Sequence, residues 1–119
     1  MNYDKQNVFA KILRKEIPCN MVYENDYVLA FHDINPQKKI HILLIPKGEY
    51  LNLDDFNEKA TDREIIEFNK AIFHIVKLLK LSNTGYRILS NIGNNGGQEV
   101  AHLHYHIFGG EKIGPMVTK

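Results

Sequence analysis

The segment His102–Phe108 alternates histidine with apolar residues, and this alternation restricts the fold more than any other feature of the sequence. Side chains point alternately to the two faces of a β-strand, so a strand would place His102, His104 and His106 on one face. The other face would carry Leu103, Tyr105 and Ile107. Solvated sheet faces are usually built from Thr, Lys, Glu and Ser, so three imidazoles within five residues indicate a functional strand. We predict this strand over residues 101–108.

Apolar periodicity predicts one short and one long helix. The short helix has four apolar residues on one face: Val8, Phe9, Ile12 and Leu13. It stops before Pro18, because the residue that precedes a proline disfavours helical geometry. Thr61 and Glu64 have the spacing of a capping box, which opens the long helix. Its core side carries Ile65, Phe68, Ile72 and Leu79, and His74 falls on the solvated side.

Four further strands complete the predicted elements: Met21–Tyr23, Tyr27–His32, Ile40–Ile45 and Tyr86–Ile92. A loop with acidic and asparagine residues follows the third of them. Strands outnumber helices, and the turns favour hairpins. We therefore predict an α+β fold, with a mainly antiparallel five-stranded sheet and one long and one short helix. No repeat or linker divides the chain, so residues 1–119 should form a single domain.

Composition excludes several classes of partner. The formal net charge is +1, which provides no basic field for nucleic acid or for an anionic membrane. Cys19 is the sole cysteine, so neither an internal disulfide nor an all-cysteine metal site is possible. The first ten residues carry Asp4 and lack a long apolar run, which is unlike a secretory signal. We expect a cytoplasmic protein.

A metal site is one interpretation of the three histidines. Residues two apart on a strand are separated by about 6.6 Å, and residues four apart by about 13 Å. Three such side chains do not readily converge on one ion with bonds near 2 Å. Two of them could chelate zinc with His41 from another strand, but no carboxylate or cysteine cluster stands nearby in the sequence. We predict no metal and keep zinc as the alternative.

A phosphate suits the histidine spacing better. A middle imidazole can attack phosphorus while its neighbours donate hydrogen bonds to the flanking oxygens, and histidine is a competent covalent catalyst. The segment 91–98 just upstream is rich in glycine and asparagine, and such loops let backbone N–H groups approach an anion. Together the loop and the strand predict a phosphate site.

The sequence resembles the histidine triad family, and specifically the bacterial type of its nucleotide-binding phosphoramidase branch. The signature of alternating histidine and apolar residues is the segment His102–Phe108 itself. Further matching segments extend over nearly the whole chain: Phe9–Ile12, Lys15–Pro18, Leu29–Gln37, Ile45–Lys47, Gly85–Arg87, Gly96–Gln98, Gly109–Gly110 and Gly114–Met116.

The resemblance implies a role for each candidate residue. His104 would be the nucleophile, with His102 and His106 orienting it and binding the phosphate, and His41 completing the catalytic set. Asp33 would hold the ribose hydroxyls, and Ile34 would line the base pocket. Four residues would line the phosphate side: Asn91, Gly97, Gln98 and Glu99.

The implied function is a homodimeric purine nucleoside phosphoramidase that splits AMP or GMP from an amine and needs no cofactor. The alternatives are a dinucleoside polyphosphate hydrolase with the same nucleophile, and a nucleotide-binding regulator with vestigial activity. Two positions depart from many members of the family. Glu99 stands where many have serine, and Glu49 where many have histidine. These departures leave the preferred leaving group open.

Overall fold

The computed structural model describes residues 2–118. In that range there are four helices: α1 (Val8–Leu13), α2 (Leu53–Lys59), α3 (Asp62–Leu78) and α4 (Gly93–Gly96). The same range holds five strands: β1 (Met21–Glu24), β2 (Val28–His32), β3 (Ile40–Pro46), β4 (Arg87–Leu89) and β5 (Tyr105–Gly109). No helix within residues 2–118 is both long and apolar enough to span a bilayer.

The five strands form one sheet in the order β1-β2-β3-β5-β4, with every neighbouring pair antiparallel. The predicted fold class is therefore confirmed. In the register between β3 and β5, His41 pairs with Phe108 and Leu43 pairs with His106. His41 and His106 are consequently diagonal neighbours on the same face of the sheet.

Each face of the sheet carries its own apolar cluster. One cluster combines sheet residues such as Ile42, Leu44 and Ile107 with the buried side of α3. The cluster on the other face contains Phe9 of α1 and four strand residues: Leu29, Phe31, Leu43 and Ile45. This division follows from strand alternation. It leaves the histidine face of β5 on the side of α1.

The long helix begins as the sequence predicts. The Glu64 backbone N–H donates to Thr61 Oγ1, and the Thr61 N–H donates to a Glu64 carboxylate oxygen, each over 3.1 Å. This reciprocal pair is the capping box. His74 lies on the exposed side of the helix, where its ring stacks on Tyr23.

The predicted strand over residues 101–108 is too long at its start, since β5 begins only at Tyr105. The backbone before it bonds to loops instead of to a neighbouring strand. The Leu103 N–H donates to the Tyr50 carbonyl over 2.8 Å, and the His104 carbonyl accepts from Ser90 Oγ over 2.8 Å. His102 and His104 therefore precede the strand, and only His106 of the three lies within it.

Residues 2–118 contain two helices that the sequence did not predict. The predicted loop after β3 contains α2, which is capped by the Asn52 side chain accepting from the Asp55 N–H over 2.9 Å. Phe56 is the one residue that this helix buries, so its sequence shows little apolar periodicity. The second extra helix is the single turn α4 in the glycine-rich loop. The predicted strand over 86–92 shortens to β4.

Candidate active site

A groove lies on the α1 side of the sheet. Its walls come from α1, the residues after β2, the loop around 91–100 and the histidine segment. The apolar part of its lining comprises Val8, Phe9, Ile12, Ile17, Pro18, Phe31, Ile34, Leu43 and Val100. An apolar surface beside several imidazoles can hold the flat face of a base while its phosphate lies among polar groups.

Most of the residues proposed from the sequence meet at this groove. Seven of them line it: Asp33, Ile34, Asn91, Gly97, Glu99, His104 and His106. The other three support it from behind or beside. His41 and His102 are buried, and the Gln98 side chain ties loops together.

The His104 ring is held by a backbone carbonyl. His104 Nδ1 lies 2.7 Å from the carbonyl oxygen of His102, and the edge-on ring of Phe9 lies 5.0 Å away between centroids. A carbonyl oxygen can only accept, so Nδ1 of His104 carries the proton. The lone pair of the neutral ring is therefore on Nε2, which is the nitrogen that a nucleophile needs.

His102 uses both of its ring nitrogens internally. Nε2 donates to the Pro46 carbonyl over 2.9 Å, which leaves Nδ1 as an acceptor for the Tyr3 hydroxyl at 2.5 Å. The side chain has no exposed surface. The resemblance implies that His102 binds the phosphate, and the structure corrects this expectation because neither nitrogen is free. What His102 offers the site is its carbonyl oxygen.

His41 and His106 form a hydrogen bond whose donor and acceptor can be assigned. The Gln37 backbone N–H donates to His41 Nδ1 over 3.2 Å, so the His41 proton is on Nε2. That Nε2–H donates to His106 Nδ1 over 2.9 Å. The proton of neutral His106 must then be on its own Nε2. Asp33 Oδ2 lies 3.4 Å from His41 Nε2 and faces the same pair.

Burial keeps these imidazoles neutral in the free protein. Loss of hydration lowers the pKa of His102 to about 4 and that of His106 to about 4. The same cause lowers the pKa values of His41 and His104, although Asp33 opposes it at both. The site therefore presents neutral imidazoles at pH 7.

The loop beside the histidines is organised by Gln98. Its Nε2 donates to the Leu51 carbonyl over 2.7 Å and to the Val100 carbonyl over 3.0 Å, and its Oε1 accepts from the Gly93 N–H. Gln98 thus holds together the loops beside the groove and does not line the groove itself. Gly97 has φ of 75°, a conformation that favours glycine. Glu99 is exposed at the groove, where its charge acts on His104.

One group of side chains could hold a metal ion, within the part of the chain that is described. Ligand atoms of Asp33, His41 and His106 lie within 4.8 Å of one another. The two histidine nitrogens are 2.9 Å apart and share a proton. Tetrahedral zinc with bonds near 2.0–2.1 Å would hold its ligands roughly 3.3 Å apart and would displace that proton. The spacing fits a hydrogen bond better, and the absence of a metal stays a prediction that chelation can test.

Sequence reasoning did not assign three groups that shape the site. Phe9 and Ile12 of α1 were assigned only to a core face, yet they line the groove. Tyr3 lies before the first predicted helix, and nothing in its local pattern points to His102. The Gln37 backbone N–H sets the His41 tautomer, and a backbone group leaves no signal in the sequence.

The comparison with protein families agrees with this geometry. The family model of the HIT domain matches residues 14–113, which include all the histidines placed above. The chain belongs to the HIT family. The other comparisons identify bacterial HIT proteins as relatives along almost the full chain.

An uncharacterized HIT-like protein of Azospirillum brasilense is 53% identical over 117 residues, covering 98% of this chain and 96% of the relative. The purine nucleoside phosphoramidase of Escherichia coli (strain K12) is 40% identical over 117 residues, covering 96% of this chain and 95% of the relative. Among solved structures, a HIT family hydrolase from Clostridium thermocellum aligns with a TM-score of 0.87 at 37% identity, covering 97% of this chain and 99% of that one.

The buried histidines predict that this HIT protein loses stability in acid. The folded-state pKa of His102 is about 4 and its ordinary value about 6.5, so the unfolded chain binds more protons between these values. Stability should therefore fall as pH drops below 6.5, by about 2 kcal/mol between about pH 7.5 and pH 5 from His102 alone. Urea unfolding at several pH values measures this loss. A free energy of unfolding that stays constant over this pH range would contradict the prediction.

Proposed function

We propose that the protein is a purine nucleoside phosphoramidase, which splits AMP or GMP from an amine through a nucleotidyl-His104 intermediate. The observation that carries the proposal is the 2.7 Å hydrogen bond from His104 Nδ1 to the His102 carbonyl. Because this bond places the proton on Nδ1, the lone pair of His104 is on Nε2, and His104 lines the groove. Nucleophilic catalysis needs such a group, free of its proton and fixed in orientation.

The nucleotide would bind across the groove. The apolar lining from α1 and from residues 17–18 suits a purine face. Asp33 stands beside it, half-buried, with the exposed side chain of Ile34 next along the chain. A carboxylate can accept hydrogen bonds from both ribose hydroxyls, which supports a ribonucleotide as substrate.

The chemistry runs in two displacements. In the first, His104 Nε2 forms a bond to phosphorus while the P–N bond to the amine breaks, and the amine leaves with an added proton. We assign that proton to a protonated His106, which lines the groove with its ring centroid 5.1 Å from that of His104. A bound phosphate is negatively charged, and a nearby negative charge raises the pKa of an imidazole, so the site becomes able to hold a proton when substrate binds. In the second displacement, a water oxygen bonds to phosphorus as the P–N bond to His104 breaks, and the water proton goes to His106, so both rings return to the states in which they began.

The charges around the groove favour an amine over a polyphosphate leaving group. Among the described residues, neither lysine nor arginine lines the groove, and Glu99 does. A departing polyphosphate gains negative charge and needs cationic groups or a metal ion to stabilise it. An amine needs only the proton. This difference supports the phosphoramidase over the dinucleoside polyphosphate hydrolase.

The test compares kcat/KM for an AMP phosphoramidate with kcat/KM for diadenosine tri- and tetraphosphate, using the purified protein without added metal. We expect the phosphoramidate value to be higher by at least about tenfold. Equal values, or a higher value for a polyphosphate, would assign the chain to the hydrolase alternative. Nucleotide binding without turnover of any of the three would assign it to the regulators.

Three expectations from the sequence stay predictions: the single domain over 1–119, the homodimer and the cytoplasmic location. Light scattering of the purified protein measures the mass and so tests the dimer directly. Limited proteolysis tests the single domain, since one compact unit should resist cleavage between its elements.

A further inference from the structure

The N-terminal residues 2–7 form a strap that crosses to the histidine cluster before α1 begins. Several bonds fix this strap. Asn7 caps α1 through the Ala10 N–H, over 2.9 Å, and its own Nδ2 donates to the Asp4 carbonyl over 2.7 Å. Arg14 Nη1 donates to the Lys5 carbonyl over 2.7 Å. The strap is therefore anchored at both Asp4 and Lys5, the residues next to Tyr3.

Tyr3 is the residue by which the strap reaches the cluster. Its hydroxyl lies 2.5 Å from His102 Nδ1, and its ring meets the imidazole edge-on at 5.6 Å between centroids. His102 donates through Nε2 to the Pro46 carbonyl, so Nδ1 carries the lone pair and the Tyr3 hydroxyl must donate the proton. This bond fixes the His102 ring at its second nitrogen.

We propose that Tyr3 is a positioning residue for the nucleophile, acting through His102. The tyrosine hydroxyl and the Pro46 carbonyl hold the two nitrogens of a fully buried ring. The same residue presents the carbonyl oxygen that accepts from His104 Nδ1 over 2.7 Å. A fixed His102 therefore fixes the orientation and the tautomer of His104. The kinetic part of this inference rests on the proposed function.

Loss of the tyrosine hydroxyl has a specific consequence. A buried acceptor left without its donor is unfavourable, so His102 would shift or change tautomer to find another partner. Either change moves the carbonyl on which His104 depends. The proton on His104 would then be shared between its two nitrogens, and a smaller fraction of the enzyme would have the attacking lone pair in place.

The experiment uses Tyr3→Phe in the full chain, which removes the hydroxyl and keeps the ring. Tyr86→Phe is the matched control, since Tyr86 is exposed and lies outside the groove. Three quantities are compared with wild type: kcat and KM for the AMP phosphoramidate, Kd for AMP, and the ¹⁵N chemical shifts of the imidazoles, which report the tautomer of each ring. Thermal melting shows that each variant is folded at the assay temperature.

We expect Tyr3→Phe to lower kcat by about 5- to 100-fold with KM and the Kd for AMP within a factor of two. The nitrogen shifts of His102 and His104 should move, and those of His41 and His106 should stay. Tyr86→Phe should match wild type in every respect. Unchanged His104 shifts, or kcat within twofold of wild type, would overturn the inference.

The design separates this inference from the proposed function. The wild-type rate tests the function, and the ratio of variant to wild type tests the role of Tyr3. If wild type turns over none of the nucleotide substrates, the nitrogen shifts alone decide: a shifted His104 in Tyr3→Phe supports the positioning role, and an unshifted one refutes it. A parallel loss of AMP affinity and rate with unchanged shifts would show that Tyr3 acts only on general structure.

Discussion

His104→Ala should lower kcat for an AMP phosphoramidate by on the order of 10⁴-fold or more, while AMP still binds. The variant removes the nitrogen that attacks phosphorus, so the two-displacement route is lost. In the proposed site AMP would be held by the apolar groove lining, by Asp33 and by the loop that includes Asn91, all of which remain in the variant. Steady-state kinetics and calorimetric titration with AMP measure the two effects separately.

A second variant separates the loss of the nucleophile from a loss of folding stability. His104 is 6% exposed, and alanine would leave the His102 carbonyl without its donor. In His104→Asn, the amide Nδ2–H can still donate to that carbonyl, but no nucleophile is present. Both variants should be inactive, and the asparagine variant should melt closer to wild type. Retention of more than about 1% of the wild-type kcat in either purified variant would contradict a nucleophilic role for His104.

Asp33→Asn should weaken AMP binding by about 10- to 100-fold and weaken 2′,3′-dideoxy-AMP binding far less. Hydrogen bonds to a charged acceptor contribute about 1.5–3 kcal/mol each, and 1.4 kcal/mol is tenfold in affinity. The substitution keeps the shape of the side chain. It also keeps an oxygen that can accept from the Asn35 N–H, now 2.8 Å from Asp33 Oδ1. Titration of both nucleotides into both proteins gives the four affinities.

Glu99→Gln provides the matched control for Asp33→Asn. It also removes one negative charge at the groove without changing shape. Since Glu99 would lie near the phosphate in the proposed site, its neutralisation should change the affinities of AMP and the dideoxy analogue by the same factor. Equal losses for the two nucleotides in Asp33→Asn would refute the assignment of Asp33 to the ribose.

The fold could be predicted because local sequence and burial agree in most elements. The capping box at Thr61, the apolar face of α3 and the strand that begins at Ile40 each appear in the structure where the sequence indicates. The helix α2 was missed because it buries a single residue. A helix that depends on its caps and on one anchor leaves no periodic pattern.

The sequence predicted which residues gather at the groove but not how they are arranged there. Alternation correctly brought His104 and His106 to the groove side, and the family resemblance added Asp33 and His41. Alternation gave no sign that the strand begins after His104, or that His102 uses both ring nitrogens in the interior. Such details depend on contacts between residues distant in sequence, as between Tyr3 and His102 or between Gln37 and His41. The residue pattern within one segment of sequence carries no information about such long-range contacts.

The covalent intermediate is the central claim, and mass spectrometry of the quenched enzyme tests it most directly. Wild-type protein is mixed with excess AMP phosphoramidate and quenched at short times in alkaline denaturant, because phosphorylated imidazoles are labile to acid. We expect an adduct with the mass of one nucleotidyl group, located on the peptide containing His104, and no adduct in His104→Asn. Product release in a single turnover with no adduct at any time, or an adduct on another residue, would contradict the account.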